Sequence, residues 1–273
     1  MYATYTVRWR RVRTVGTAAV LFVAAFGRPG ASSEPPDVTR IVQRWTAANR
    51  ADFDAALNYD CFVRIRSESG SKTYHVTMLF GTPYKRLVAE DGKPLNAARQ
   101  REEEDKFARE RRERAGESPH AHARRLDDYR HGRERAHRLL EEMPRAFAYR
   151  LVARRQIRSR TVYVLRATPL SGYDPPTTEA EVLTGMRGEF WIDAMTYQLV
   201  RATAIVLRPV SIAGFLATVE PGTRFELEQQ PVSDGVWLPA HLEIRSRSSI
   251  VHLFDHHHDE ERTYFGYRRT TPP

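Results

Sequence analysis

Gly188 to Leu207 reads GEFWIDAMTYQLVRATAIVL. Phe190, Trp191 and Ile192 form a short apolar, β-favouring run. Asp193-Ala194-Met195-Thr196 is a polar break of turn length, and Tyr197 to Leu207 is a second run of large apolar and β-branched residues. Two such runs about a short break predict a β-hairpin. In the second run Leu199, Ile205 and Leu207 share one phase, and Val200, Ala202, Ala204 and Val206 the other. Apolar residues in both phases predict a strand covered on both faces for part of its length.

The same alternation recurs along the chain. Asn58–Ser67 sets Cys61, Val63 and Ile65 against Arg64 and Arg66, with a turn at Gly70-Ser71. Thr73–Phe80 has Tyr74, Val76, Met78 and Phe80 in phase, Gly81-Thr82-Pro83 turns, and Tyr84–Glu90 returns. Strands resume at Ala146, with Phe147, Tyr149 and Leu151 in phase, and continue in Arg160–Thr168, Thr223–Gln230, Val236–Arg247, Ile250–Phe254 and Thr263–Tyr267. Pro169–Glu181 is a loop, and Pro209–Pro221 reads as a short helix or an irregular flap. Short turns between alternating strands predict an antiparallel meander.

Two segments are helical in pattern. After Asp37, a capping residue, Val38, Ile41, Val42, Trp45 and Ala48 recur at helical spacing. Pro94–Arg145 carries 14 Lys and Arg against 12 Asp and Glu, with Glu102/Lys106, Asp105/Arg109 and Glu110/Arg114 in the stabilising i,i+4 order and a break at Gly116–Pro119. This reads as a charged helical pair inserted between strands, either a solvated excursion or a lid or docking arm.

The first 32 residues read as an export signal. Arg8–Arg13 is basic, Thr14–Phe26 is apolar and short for a membrane span, and small residues follow, with an uncleaved anchor as the alternative reading. That segment holds five of the 43 basic residues, so removal leaves 38 against 34 acids. So modest a surplus does not demand nucleic acid, and export argues against it. The expected layout is a signal peptide at 1–32 and a single β-rich domain at 33–273, with the charged insertion at about 94–145. The one cysteine, Cys61, cannot form an internal disulfide and lies in a strand-like run, where a buried structural role is the ordinary one.

Two motifs carry a resemblance. Phe190-Trp191-Ile192-Asp193, its short turn and the Leu199-Val200-Arg201 return resemble the central hairpin of the LolA/LolB-like superfamily, periplasmic lipoprotein carriers and their relatives. Asp234-Gly235-Val236-Trp237-Leu238-Pro239 is similar to a hairpin of outer-membrane lipoprotein-sorting-like proteins. The resemblance spans roughly Asp37 to Tyr267. It implies an α+β fold: a large curved antiparallel half-barrel with helices on its concave side. It also implies a soluble periplasmic carrier whose partner is a hydrophobic ligand such as a lipid or a lipoprotein acyl chain. Peripheral membrane contact is compatible with this. The long charged insertion departs from that pattern. Relatives that sense envelope stress supply a second expectation, a regulatory or structural module that docks an envelope protein.

Candidate groove residues are Trp45, Val63, Ile65, Tyr74, Val76, Met78, Phe80, Phe190, Trp191, Ile192 and Trp237. Large aromatics are more often core than ligand contacts, so Trp45, Trp191 and Trp237 carry both readings. Asp255-His256-His257-His258-Asp259-Glu260-Glu261 contains metal-ligating types. Consecutive strand residues point to alternate faces, so His256, His257 and His258 rarely complete one site. A solvated loop is the bland reading and a metal-dependent hydrolase the sharp one. No GxSxG, HExxH, CxxC or phosphate-binding glycine loop occurs, and the expectation is a non-enzymatic protein with no cofactor.

Overall fold

The computed structural model describes residues 36–212, 217–233, 235–246 and 259–270. The expected signal segment at 1–32, Ile250–Phe254 and His256–His258 lie outside the described residues. Helix α1 (Val38–Ala55) starts where the Asp37 carboxylate accepts the Thr39 N–H at 2.9 Å. Strands β1 (Tyr59–Ser67), β2 (Gly70–Leu79), β3 (Thr82–Glu90) and a short β4 (Lys93–Pro94) follow. Next come α2 (Ala97–Ala115), capped by Asn96, and α3 (Pro119–Ala146), capped by Ser118. The second half is β5 (Phe147–Ile157), β6 (Arg160–Pro169), α4 (Glu181–Thr184), β7 (Met186–Asp193), β8 (Leu199–Val206), β9 (Val210–Ile212), β10 (Ala217–Val219), β11 (Arg224–Ser233), β12 (Val236–Arg245) and β13 (Glu260–Arg269).

Eleven strands form one open antiparallel sheet in the order β4-β3-β2-β1-β13-β12-β11-β8-β7-β6-β5. Its fold class is the expected α+β sheet with helices. Three local expectations change. The Pro209–Pro221 segment contributes the paired strands β9 and β10 rather than a helix. The β2–β3 turn is Phe80-Gly81, both at positive φ, so Thr82 and Pro83 belong to β3 and Phe80 leaves the strand phase. Glu260 and Glu261 open β13 instead of extending a loop.

The central hairpin is β7–β8, and Asp193 builds its turn by accepting the Met195 and Thr196 N–H groups, both at 2.9 Å. Burial opposes its ionisation, but those N–H groups and Arg160 outweigh it and hold the carboxyl below its ordinary range. Val200 is an extra residue opposite the Trp191–Ile192 step. This bulge moves Leu199 out of phase with Ile205 and into the core beside Ala202. The other phase, Arg201, Thr203 and Ile205, faces a solvent-filled depression, so β8 is not covered on both faces.

Sequence register makes α3 a chord across the sheet. At its start Leu126 lies against the β2–β3 turn, and at its end Ala146 runs directly into β5. From Leu126 to Ala146 the helix rises about 30 Å. β3 is second and β5 eleventh in strand order, a separation of about 43 Å in a flat sheet. The sheet therefore bends toward α3. Polar contacts hold the charged hairpin there. Arg114 donates to Leu79 O at 2.9 Å and to Thr82 Oγ1 at 2.9 Å, and Arg125 donates to Thr82 Oγ1 at 2.6 Å. Glu103, 8% exposed, accepts the Leu87 N–H of β3 at 3.3 Å and so satisfies a sheet edge.

At Gly188 of β7 the backbone of β8 leaves no room for a side chain. A Cβ there would stand 2.4 Å from Thr203 O, a backbone atom that cannot step aside. Gly188→Ala is expected to destabilise the protein by about 1–3 kcal/mol through overpacking, read as a lower denaturation midpoint. An unchanged midpoint would contradict this close approach.

Candidate ligand groove

Paired strands share a face, so the register traces one surface across the sheet. Leu165, Phe190, Ala202, Leu227, Leu242, Arg262 and Ile65 stand opposite one another in sequence along it. Tyr264, Val63 and Tyr74 extend the same face. This inner face is divided in two.

Over β5–β8 it is filled. Ile41, Val42 and Trp45 of α1 join Phe147, Leu165, Phe190, Ile192 and Leu199 in one buried cluster. The Trp45 ring packs 4.7 Å from Phe190 and 6.4 Å from Tyr149, centroid to centroid. Burial in this cluster pushes the Tyr149 phenol up. Trp45, Phe190 and Ile192 therefore fill a core rather than line open space.

Over β11, β12, β13, β1 and β2 the inner face is only half-buried. On the main sheet the helices meet β3, β5 and β7, and α1 meets β12, where Asp52 holds Trp237 at the strand's start. Phe225, Leu227, Leu242, Ile244, Ile65, Tyr74 and Val76 are of intermediate exposure. Among the expected groove residues, Val63 (buried), Ile65, Tyr74 and Val76 are brought together here, with Met78 farther along β2. Three others are placed elsewhere. Phe80 is 43% exposed in its turn. Trp191 is on the opposite face, beneath the Arg201 guanidinium at 5.4 Å, because adjacent strand residues alternate. Trp237 is buried beneath the Arg160 guanidinium at 4.8 Å.

Sequence reasoning missed Phe225, Leu227, Leu242 and Ile244, whose signal was the alternation inside strands already recognised. It also missed Glu260 and Arg262. These form an ion pair on the inner face, with Leu242 and Ile65 on either side of Arg262 in register. The apolar strip thus contains one polar station. Cys61 also lies on this face, and burial together with the Asp60 carboxylate pushes its thiol up to about 11. It is protonated at neutral pH and a poor nucleophile. Among the described residues no three His, Cys, Asp or Glu side chains gather as a metal site, and no helix is long and apolar enough to cross a membrane.

One buried carboxylate ties the filled half to the open half. Asp52 of α1 is 3% exposed. Its Oδ1 accepts the Trp237 N–H at 2.9 Å and Gln198 Nε2 at 3.4 Å, while Gln198 Nε2 also donates to Gly235 O at 3.0 Å. Its Oδ2 has no hydrogen-bond partner among the described residues. Burial outweighs the two donors and pushes the carboxyl up to about 6.

The folded protein therefore holds this proton more tightly than the unfolded chain does. Asp52's contribution to stability is greatest below pH 4 and falls as pH rises through 6. Asp52→Asn keeps the acceptor and removes the charge. Thermal melts should show the wild type losing stability relative to Asp52→Asn between pH 4 and 7. Asp52→Ala leaves the Trp237 N–H unpaired and should cost about 1–3 kcal/mol. Equal losses for both variants at pH 7 would contradict the node.

No protein-family model and no curated protein sequence matches the chain. Its fold is similar to three solved structures. One is a domain described as an outer-membrane lipoprotein-sorting protein from Vibrio parahaemolyticus, with 9% identity, 85% of this chain and 92% of that one covered, and TM-score 0.37. Another is a DUF1329 family protein from Desulfovibrio piger, with 11% identity, 86% and 94% covered, and TM-score 0.34. The third is a LolA superfamily protein from Nitrosomonas europaea, with 8% identity, 88% and 96% covered, and TM-score 0.30. Likeness at this level assigns no activity.

Proposed function

We propose that this chain is an exported, periplasmic, non-catalytic binding protein for a hydrophobic ligand with an acyl-type chain. The observation that carries the reading is the half-buried apolar strip on the inner face of β11, β12, β13, β1 and β2, on the side toward which the sheet bends. An alkyl chain laid along it gains about 0.8 kcal/mol for each CH2 group removed from water. The Arg262–Glu260 pair gives the strip one polar station at which a headgroup can be oriented. Val63, Ile65, Tyr74, Val76 and Met78 belong to this reading as contacts, and Trp45, Phe190 and Ile192 as the wall that stops the ligand at β8.

Exchange is the mechanism, with α3 as the moving part. Its seat on the β2–β3 turn is Arg125, which donates to Phe80 O and Thr82 Oγ1, with Leu126 beside Gly81, and water can replace the hydrogen bonds. Ala146 is the sole fully buried residue of α3. Leu139 and Met143 pack against the core near its other end, so the movement is confined to the Leu126 end of the helix.

A second reading, a docking module for an envelope protein, draws on the charged helical pair. Glu103 is the one buried residue of α2, so that helix presents a long charged face. A partner of this kind would be lost on charge reversal along α2 with acyl binding intact.

A fluorescent dansyl fatty acid tests the first reading. Leu242→Glu and Ile65→Glu, on the inner face, should each weaken binding at least tenfold. Thr263→Glu, on the outer face of β13, should leave it within twofold, with circular dichroism unchanged in all three. Absence of saturable binding by the wild type, or equal binding by the inner-face variants, overturns the reading.

A further inference from the structure

The opposite face of the sheet carries a second, chemically different depression. It has a volume of about 670 Å³ and is lined by five arginines, Arg166, Arg187, Arg201, Arg224 and Arg245, against three glutamates, Glu189, Glu226 and Glu243. Three of the arginines are matched. Arg166 pairs with Glu189 at 2.8 Å, Arg201 with Glu226 at 2.6 Å and Arg245 with Glu243 at 2.7 Å. Arg187 and Arg224 have no acidic partner among the described residues, so the depression keeps two uncompensated positive charges.

Register shows where those charges converge. Arg187 of β7 and Arg224 of β11 both stand opposite Ile205 of β8, one on each side. They are therefore two strand spacings apart, about 10 Å, a gap that two arginine side chains reach across from either end. Ile205 forms an apolar floor between them. Arg245 of β12 stands directly opposite Arg224 and continues the basic row. Like charges placed opposite each other destabilise a sheet. A bound anion would remove that repulsion. Guanidinium forks match the oxygens of a phosphoryl group.

We infer that this depression binds a phosphate-type dianion, held between Arg187 and Arg224 above Ile205, with Arg245 as an auxiliary contact. The site is on the other face from the apolar strip and does not depend on it.

Titration calorimetry with inorganic phosphate and with glycerol 3-phosphate, at low ionic strength, tests the assignment on the whole mature chain. Saturable binding should weaken at least tenfold in Arg187→Gln and in Arg224→Gln. Arg166→Gln, which removes an arginine already paired, should leave it within twofold. Without ligand, Arg224→Gln should melt no lower than the wild type, since it relieves the contact with Arg245. Vesicles of phosphatidylcholine with phosphatidic acid, whose headgroup is a phosphomonoester, against phosphatidylcholine alone, distinguish the source of the phosphate. Binding to the anionic vesicles alone, lost in Arg187→Gln and Arg224→Gln, would place the phosphate on a lipid headgroup. No binding to the two soluble probes or to the anionic vesicles overturns the inference. So does equal weakening by Arg166→Gln, which would reduce the effect to net charge.

Discussion

The seating of α1 on the sheet is the contact on which the remaining structure depends. Trp45 fills the hollow between Phe190 and Tyr149, and Asp52 accepts the N–H of Trp237, 185 positions along the chain. Removing a buried tryptophan side chain typically costs about 3–5 kcal/mol, a large share of the stability of an ordinary domain. The same helix that completes the core over β5–β8 stops short of the inner face of β13, β1 and β2. One element thus produces both the solid half of the molecule and the open half.

The second constraint is the chord made by α3. A helix joined to one edge of the sheet and seated near the other fixes how far the sheet can flatten. The two attachments differ in kind. At β5 the helix is covalently continuous with its strand and ends on the buried Ala146. At the β2–β3 turn it is held by Arg125, which donates to Thr82 Oγ1, and by Leu126 against Gly81. A strut fixed at one end and hydrogen-bonded at the other is mechanically suited to opening. Glu103 meanwhile satisfies the β3 edge, so the charged pair also guards against edge pairing.

Much of this was legible in the residues. Period-two runs placed β1 to β3, β5 to β8, β11 and β12, and helical spacing at Val38–Trp45 gave α1 its buried face. The central hairpin and its Asp193 turn followed from composition alone. Other features depend on information that no short window contains. The bulge at Val200 reverses the phase of Leu199, and only strand register reveals it. Trp191 was grouped with Phe190 and Ile192 by hydrophobicity, although alternation sends it to the other face. Asp52 resembled any polar residue on a helix, and its burial arises from Trp237, 185 positions away. Arg187, Arg224 and Arg245 lie in three separate strands, and pairing alone makes them one row.

The two faces of the sheet therefore present opposite chemistries, an apolar strip with a single ion pair and a basic row with an apolar floor. The central claim is that the first of these holds a hydrophobic ligand. Native mass spectrometry of the mature protein purified from the cell envelope, followed by lipid extraction, tests it most directly. The account predicts a co-purifying acyl species near one per chain, released when the protein unfolds. A clean apo mass, with no uptake after incubation with envelope lipids, would contradict it.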